Sequence, residues 1–115
     1  MQELFPINEN IRKYESVIIY GVGKSGKGVL LKLLQYNIKV ECFVDASPEK
    51  CVSKYLNIPV IHIDDLSDKK DAAIIVCGIH AFDVARELTN RGFINLFIDY
   101  ANEIGLVHLE REDLI

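Results

Sequence analysis

The chain has 115 residues, of which 50% are hydrophobic and 26% are charged, and its formal net charge is −4. This length suits one domain with a core of its own, and the acidic balance argues against nucleic acid, which binds to a basic face. No apolar run approaches the ~18 residues of a membrane span, and the N-terminus lacks a signal pattern. We therefore expect a cytoplasmic domain with no membrane partner.

Metal and disulfide sites are not expected either. The three cysteines have no metal-like spacing, and Cys42 and Cys77 lie in apolar runs where cysteine acts as a small core residue.

Strands and helices are predicted to alternate along the chain. After a lead-in over residues 1–15, with a short helix near 11–14, we predict strands over 16–20, 39–44, 57–61, 72–77 and 94–98, and helices over 25–35, 47–55 and 81–90. Pro59 lacks a backbone N–H and suggests an edge strand. In the tail over 100–115, Val107 and Leu109 favour one more edge strand.

This alternation predicts one α/β domain over residues 1–115 with its core at 16–99. Right-handed crossovers would give a doubly wound, mainly parallel five-stranded sheet of order 3-2-1-4-5, a Rossmann-like fold with helices on both faces. Helical spacing predicts the buried helix faces, Val29, Leu30, Leu33 and Leu34 on the first helix and Ala81, Val84, Ala85 and Leu88 on the last. A ligand crevice is expected at the carboxyl ends of the first and fourth strands, where the winding reverses.

A glycine turn after the first strand is the main functional signal. Gly21, Gly23 and Gly26 form Gly-x-Gly-x-x-Gly between an apolar strand and an apolar-striped helix. In dinucleotide-binding folds these glycines allow a tight turn, a close phosphate approach and close helix packing. The helix N-terminus then offers free N–H groups to a phosphate, and Lys24, Ser25 and Lys27 are predicted to add contacts. The alternative is a tight turn without a ligand.

Asp45 follows the second strand, 19 residues after Gly26. An acidic residue there accepts hydrogen bonds from a ribose diol and repels a 2′-phosphate, so NAD is favoured over NADP. The alternative is a strand-end aspartate that caps the turn at Ser47-Pro48.

The loop after the fourth strand, with Gly78 and His80, is predicted to face the same crevice. Gly78 would keep the loop close to the nucleotide. His80 is the weak candidate for a catalytic acid or base, against the alternative of an ordinary surface histidine. His62 and His108 have no assigned role.

Three other nucleotide signatures fit less well. Gly21-x-x-x-x-Gly26-Lys27 nearly matches a P-loop, but Gly28 stands where Ser or Thr would hold magnesium. Tyr20-x-x-x-Lys24 mimics a short-chain dehydrogenase pair but straddles the turn. Folds that bind S-adenosylmethionine usually carry an acidic residue where Tyr20 stands.

Four segments together resemble a known module: VIIYGVGKSG (17–26), FVDASPEK (43–50), IPVI (58–61) and AIIV (73–76). They are similar to the Rossmann-like domains attached to enzymes of surface-polysaccharide and nucleotide-sugar metabolism, such as the N-terminal domains of bacterial sugar acyltransferases and of CapD-like proteins. The resemblance spans roughly residues 16–99. It implies that the three glycines and Asp45 contact a nucleotide or nucleotide sugar. Many relatives have a second acid where this chain has Ala46.

The resemblance implies a module that binds NAD or a nucleotide sugar and is part of, or partner to, a sugar-modifying enzyme, without a complete catalytic site of its own. The chain lacks the acyltransferase, dehydratase or methyltransferase portion of such enzymes, which leaves a piece of a longer protein, fused to a catalytic domain, or a free-standing module. Two alternatives stay open: a small NAD-dependent dehydrogenase or epimerase acting as a homodimer, and a ligand-free interaction domain.

Overall fold

The structure is a computed structural model that describes residues 9–51, 54–100 and 105–108. A 3-10 turn at Glu9–Lys13 leads into the sheet. The strands are β1 (Val17–Tyr20), β2 (Cys42–Asp45), β3 (Lys54–Tyr55), β4 (Ile58–His62), β5 (Ala73–Val76), β6 (Leu96–Tyr100) and β7 (Gly105–His108), and the α-helices are α1 (Lys24–Gln35) and α2 (Ala81–Asn90).

The predicted strand order is confirmed. The five predicted strands are β4-β2-β1-β5-β6, and all neighbours among them pair in parallel. The predicted count of five is wrong, because two antiparallel strands extend the edges in the described chain: the two-residue β3 beside β4, and β7 beside β6. The tail strand predicted near Val107 is β7, whereas Leu109 lies outside the described residues.

Alternating strand residues divide the core into two layers. Ile18 and Ile74 pack with α2 through Ala85 and Leu88 on one face of the sheet. On the other face, Ile19 and Ile75 pack with α1 through the buried residues Val29, Leu30 and Leu33. Both layers exclude water from β5, which is buried along its whole length, as a parallel strand covered on both faces requires. Helices on both faces are therefore confirmed.

The helix ends largely match the prediction. Asn37 adopts a left-handed φ of 60° just after α1, and Gly92 a φ of 98° just after α2, which is how helices commonly stop. One part of the predicted helix surface is wrong: Leu34 is 52% exposed, because the buried stripe of α1 is narrower than the spacing suggested.

The helix predicted from Ser47 to about residue 55 is wrong. In the described part of this segment, 47–51 and 54–55, a 3-10 turn forms at Pro48–Lys50, and Lys54–Tyr55 pairs with β4. Leu56 and Asn57 both have positive φ, as a two-residue type I′ hairpin turn requires. Tyr55 packs edge-on against the Phe43 ring, with centroids 5.2 Å apart, and this contact favours the hairpin over a helix.

Because β3 is added, β4 has a partner on both sides, and the prediction that Pro59 marks an outermost strand is also wrong.

No helix in the described ranges is both long and apolar enough to cross a bilayer. Cys42 is buried, Cys51 and Cys77 are half-buried, and all three thiols are free. The predicted core position is therefore confirmed for Cys42, whereas Cys77 is only partly buried.

Candidate functional site

The glycine turn joins β1 to α1 at the carboxyl edge of the sheet. Gly21 has a φ of 110°, which favours glycine, and its N–H donates to the Val44 carbonyl at 2.7 Å. A Cβ atom on Gly26 would lie 2.2 Å from the Gly21 carbonyl oxygen. The helix therefore starts so close to the turn that only glycine fits at position 26.

The N-terminus of α1 is open and electropositive. Its N-cap residue, Gly23, supplies no side chain, and no acidic residue lies in the first turn. The first N–H groups of a helix have no intrahelical partners and carry a partial positive charge. Lys24 and Lys27 add two cations where the helix dipole disfavours them. An anion bound at this end would accept hydrogen bonds from the free N–H groups and would offset the positive charge of the helix start and the two lysines.

Asp45 holds the turn in place. Its side chain is only 8% exposed. Oδ2 accepts a hydrogen bond from the Val22 N–H at 3.1 Å, and Oδ1 accepts one from the Ser47 N–H at 2.9 Å. The alternative role weighed from the sequence, a cap on the Ser47 turn, is therefore present. The predicted ribose contact stays a prediction, and it would have to use the remaining lone pairs of a nearly buried carboxylate.

His62, which had no assigned role, braces the same edge. Its Nε2 lies 3.0 Å from the Ala46 carbonyl oxygen, and its Nδ1 accepts from the Asp64 N–H at 3.1 Å. These contacts connect the end of β4 to the Ala46 backbone and to the turn that follows.

A cavity of about 490 Å³ opens beside the turn, between α1, the β5–α2 loop and the end of β6. Its volume is in the range of small-molecule sites. It lies where the winding of the sheet reverses, as predicted for the crevice. The lining residues are Lys24, Ser25, Gly28, Lys32, Gly78, Ile79 and Asp99.

Three of the predicted site residues meet in this cavity: Lys24, Ser25 and Gly78. Gly78 has a φ of 94°, and a Cβ atom there would lie 4.0 Å from Ser25 Oγ, so the β5–α2 loop lies beside the first turn of α1. The other predicted glycines and Asp45 shape the turn and do not line the cavity.

His80 is exposed at the N-cap position of α2, and its side chain makes no capping hydrogen bond. It is not among the cavity-lining residues, although its neighbours Gly78 and Ile79 are. Its role as acid or base stays a prediction.

Four cavity residues were missed from the sequence: Gly28, Lys32, Ile79 and Asp99. The Asp99 side chain is 10% exposed, and its Oδ2 lies 3.8 Å from Lys32 Nζ. Its Oδ1 is buried with no hydrogen-bond partner among the described residues. Burial raises the pKa of the Asp99 carboxyl above its usual value, and the Lys32 ammonium partly opposes this. The available signal was an acid at the end of an apolar strand, the pattern that identified Asp45.

The Cys77 thiol, which lies near the Asp99 carboxylate, is not activated as a nucleophile. Burial, with a smaller contribution from Asp99, raises the pKa of Cys77 to about 11, so it is a thiol at neutral pH. Within the part of the chain that the structure describes, no three His, Cys, Asp or Glu side chains gather as metal ligands would.

Comparison with known proteins gives a matching family and several solved structures of similar fold. A family model described as "C2185-like, N-terminal" matches residues 13–95. The crystal structure of UDP-D-quinovosamine 4-dehydrogenase from Vibrio fischeri superposes with a TM-score of 0.69 at 18% identity, over 88% of this chain and 98% of that chain. No curated protein sequence matches significantly. At this identity the structural likeness establishes the Rossmann-like fold.

Proposed function

The chain belongs to the C2185-like N-terminal family, and on that premise we propose that it is a nucleotide-binding module for NAD or a nucleotide sugar. The phosphoryl group would lie at the N-terminus of α1, against the glycine turn. The module would serve a surface-polysaccharide or sugar-modifying enzyme, as its fused domain or its partner.

One observation carries the proposal. The α1 N-terminus has no capping side chain and no acid, and two lysines lie in its first turn. It opens beside a cavity of ligand size at the edge of the sheet where Rossmann-like folds bind ligands. A phosphate there would accept N–H hydrogen bonds and be attracted by the lysine charge.

Two observations bear on the choice between these ligands. The structural relative is described as a dehydrogenase of a UDP-linked sugar, which supports a nucleotide sugar. NAD is supported by the spacing of Asp45 from the glycines.

The test is a thermal-shift panel on the wild-type chain with NAD, NADP, UDP-sugars, CDP-sugars, coenzyme A and S-adenosylmethionine. A ligand at 100 times its dissociation constant stabilises by about 2.7 kcal/mol, which raises Tm by about 10 °C in a domain of this size. Lys24→Ala is expected to weaken the ligand about fivefold, equivalent to about 1 kcal/mol. Lys39→Ala removes the same charge from the opposite edge of the sheet and should leave affinity unchanged.

Failure of every nucleotide to shift Tm at millimolar concentration would overturn the proposal.

An interaction domain is the second candidate, because Ile79 is 94% exposed and Phe82 is 37% exposed beside the cavity. A dimer in light scattering that is lost in Ile79→Ser, without nucleotide binding, would establish that alternative. NADH turnover with a keto-sugar would instead support a small dehydrogenase or epimerase.

A further inference from the structure

Gly28 has no explanation in the packing of the protein. It lies inside α1, and a Cβ atom added there would meet no atom within 4 Å. Its φ is not positive, so the backbone conformation does not require glycine at this position. Glycine inside a helix is less stable than alanine, so the fold gains nothing from it. What the missing side chain does provide is open space in the wall of the cavity.

Asp99 is the second residue that the packing leaves unexplained. Its side chain is nine-tenths buried and lines the same cavity. One carboxylate oxygen has no hydrogen-bond partner among the described residues, and the other is 3.8 Å from Lys32 Nζ, beyond hydrogen-bond distance. Buried acceptors are normally satisfied, and those that are not call for a reason outside the packing. The pKa of this carboxyl, raised by burial, reflects the same cost.

The geometry sets the length and polarity of what would fit. Lys24, Gly28 and Lys32 follow one another at four-residue steps along one face of α1, so the face is about 12 Å long at 1.5 Å per residue. Its first end is the electropositive helix start. Lys32, at the other end of this face, has its Nζ 3.8 Å from the Asp99 carboxylate, which accepts hydrogen bonds. The complementary molecule carries an anionic group for the helix start and hydrogen-bond donors for this carboxylate.

We propose that this groove, formed by Lys24, Ser25, Gly28, Lys32 and Asp99, is a sugar subsite: the hydroxylated ring of a phosphate-linked sugar lies over Gly28 and donates hydroxyl hydrogen bonds to the Asp99 carboxylate. An ionised carboxylate only accepts, which suits a ring rich in hydroxyl donors. The terminal torsion of aspartate is soft, so either oxygen can turn toward the ring. This inference rests on the proposed nucleotide binding and adds the class of ligand.

The test compares each nucleoside diphosphate with a ligand that carries a further group on the terminal phosphate: a sugar, or in NAD a nicotinamide riboside. Dissociation constants of UDP and UDP-glucose, GDP and GDP-mannose, and ADP and NAD are measured by calorimetry on the full chain. We expect one diphosphate sugar to bind at least tenfold more tightly than its own diphosphate. Asp99→Asn and Gly28→Ala should each remove about tenfold of that advantage while leaving the diphosphate affinity unchanged. Asp68→Asn, which removes one exposed charge at the other end of the sheet, is the matched control.

Gly28→Ala keeps the test independent of folding, because it favours the helix and should raise Tm while sugar affinity falls. Equal affinity for a diphosphate and its sugar overturns the subsite and leaves nucleotide binding intact. The subsite is also overturned if the higher affinity for the sugar-linked ligand survives in both variants, or if only NAD binds more tightly than its diphosphate, ADP. Absence of binding by every ligand overturns both proposals.

Discussion

Two carboxylates at the same edge of the sheet have opposite environments. Asp45, at the end of β2, has a backbone N–H on each oxygen. Asp99, near the end of β6, has one buried oxygen without a partner in the described chain and lines an open cavity. The first is explained by the fold, since it joins the glycine turn to the Ser47 turn. The second costs the fold free energy, and a ligand would compensate for it.

The two helical glycines repeat this contrast. Gly26 is required, because its Cβ would collide with the Gly21 carbonyl, whereas Gly28 faces open space. The comparison separates residues that build the turn from residues that leave room beside it. Sequence motifs identify the residues that build the turn. The residues that leave room beside it are identified by a loss of stability that the packing does not explain.

Asp45→Ala should give the largest effect. It leaves the N–H groups of Val22 and Ser47 without their charged acceptor, and we expect a loss of about 3 kcal/mol in urea denaturation. Asp45→Asn keeps one acceptor oxygen and should lose less. Asp99→Ala is the counterpart and should stay within about 1 kcal/mol of wild type, because no hydrogen bond is removed. Equal losses at the two positions would end the distinction between the carboxylates.

The glycine pair should change stability in opposite directions. Gly26→Ala forces the helix away from the turn, an overpacking effect of about 1–3 kcal/mol. Gly28→Ala places the same methyl group in open space and should stabilise by about 0.5–1 kcal/mol through helix propensity. Both are read from the same denaturation curves. A destabilised Gly28→Ala would mean that this glycine has a packing role after all.

Asp99→Asn should produce the smallest effect, visible as a dependence on pH. The folded pKa of Asp99 is raised by burial, so the folded state binds the proton more tightly than the unfolded state. Its contribution to stability is most favourable below the unfolded value of about 4 and declines as the pH rises through the folded pKa. The variant should therefore be more stable than wild type at pH 7, with the gain vanishing toward pH 3. With Asp68→Asn as the exposed control, a gain that grows in acid would contradict the raised pKa.

Much of the fold could be predicted because it is encoded in local periodicity. Ala81–Asn90 forms the predicted helix, since its apolar spacing allows one face to be buried. The hairpin at 54–62 could not be predicted in this way. Leucine rarely adopts the positive φ of Leu56, and the contact that favours the hairpin joins Tyr55 to Phe43 across the fold.

The candidate site also has one part that follows from the local sequence and one part that depends on contacts between distant segments. The glycine turn and Asp45 are contiguous in motif and spacing, so the sequence alone determined that a Rossmann-like turn follows β1. Only the tertiary structure decided that both oxygens of Asp45 are occupied, and that Lys32 and Asp99 meet across one cavity. The physical reason is that secondary structure follows from neighbouring residues, whereas burial and hydrogen-bond satisfaction depend on segments brought together by the sheet.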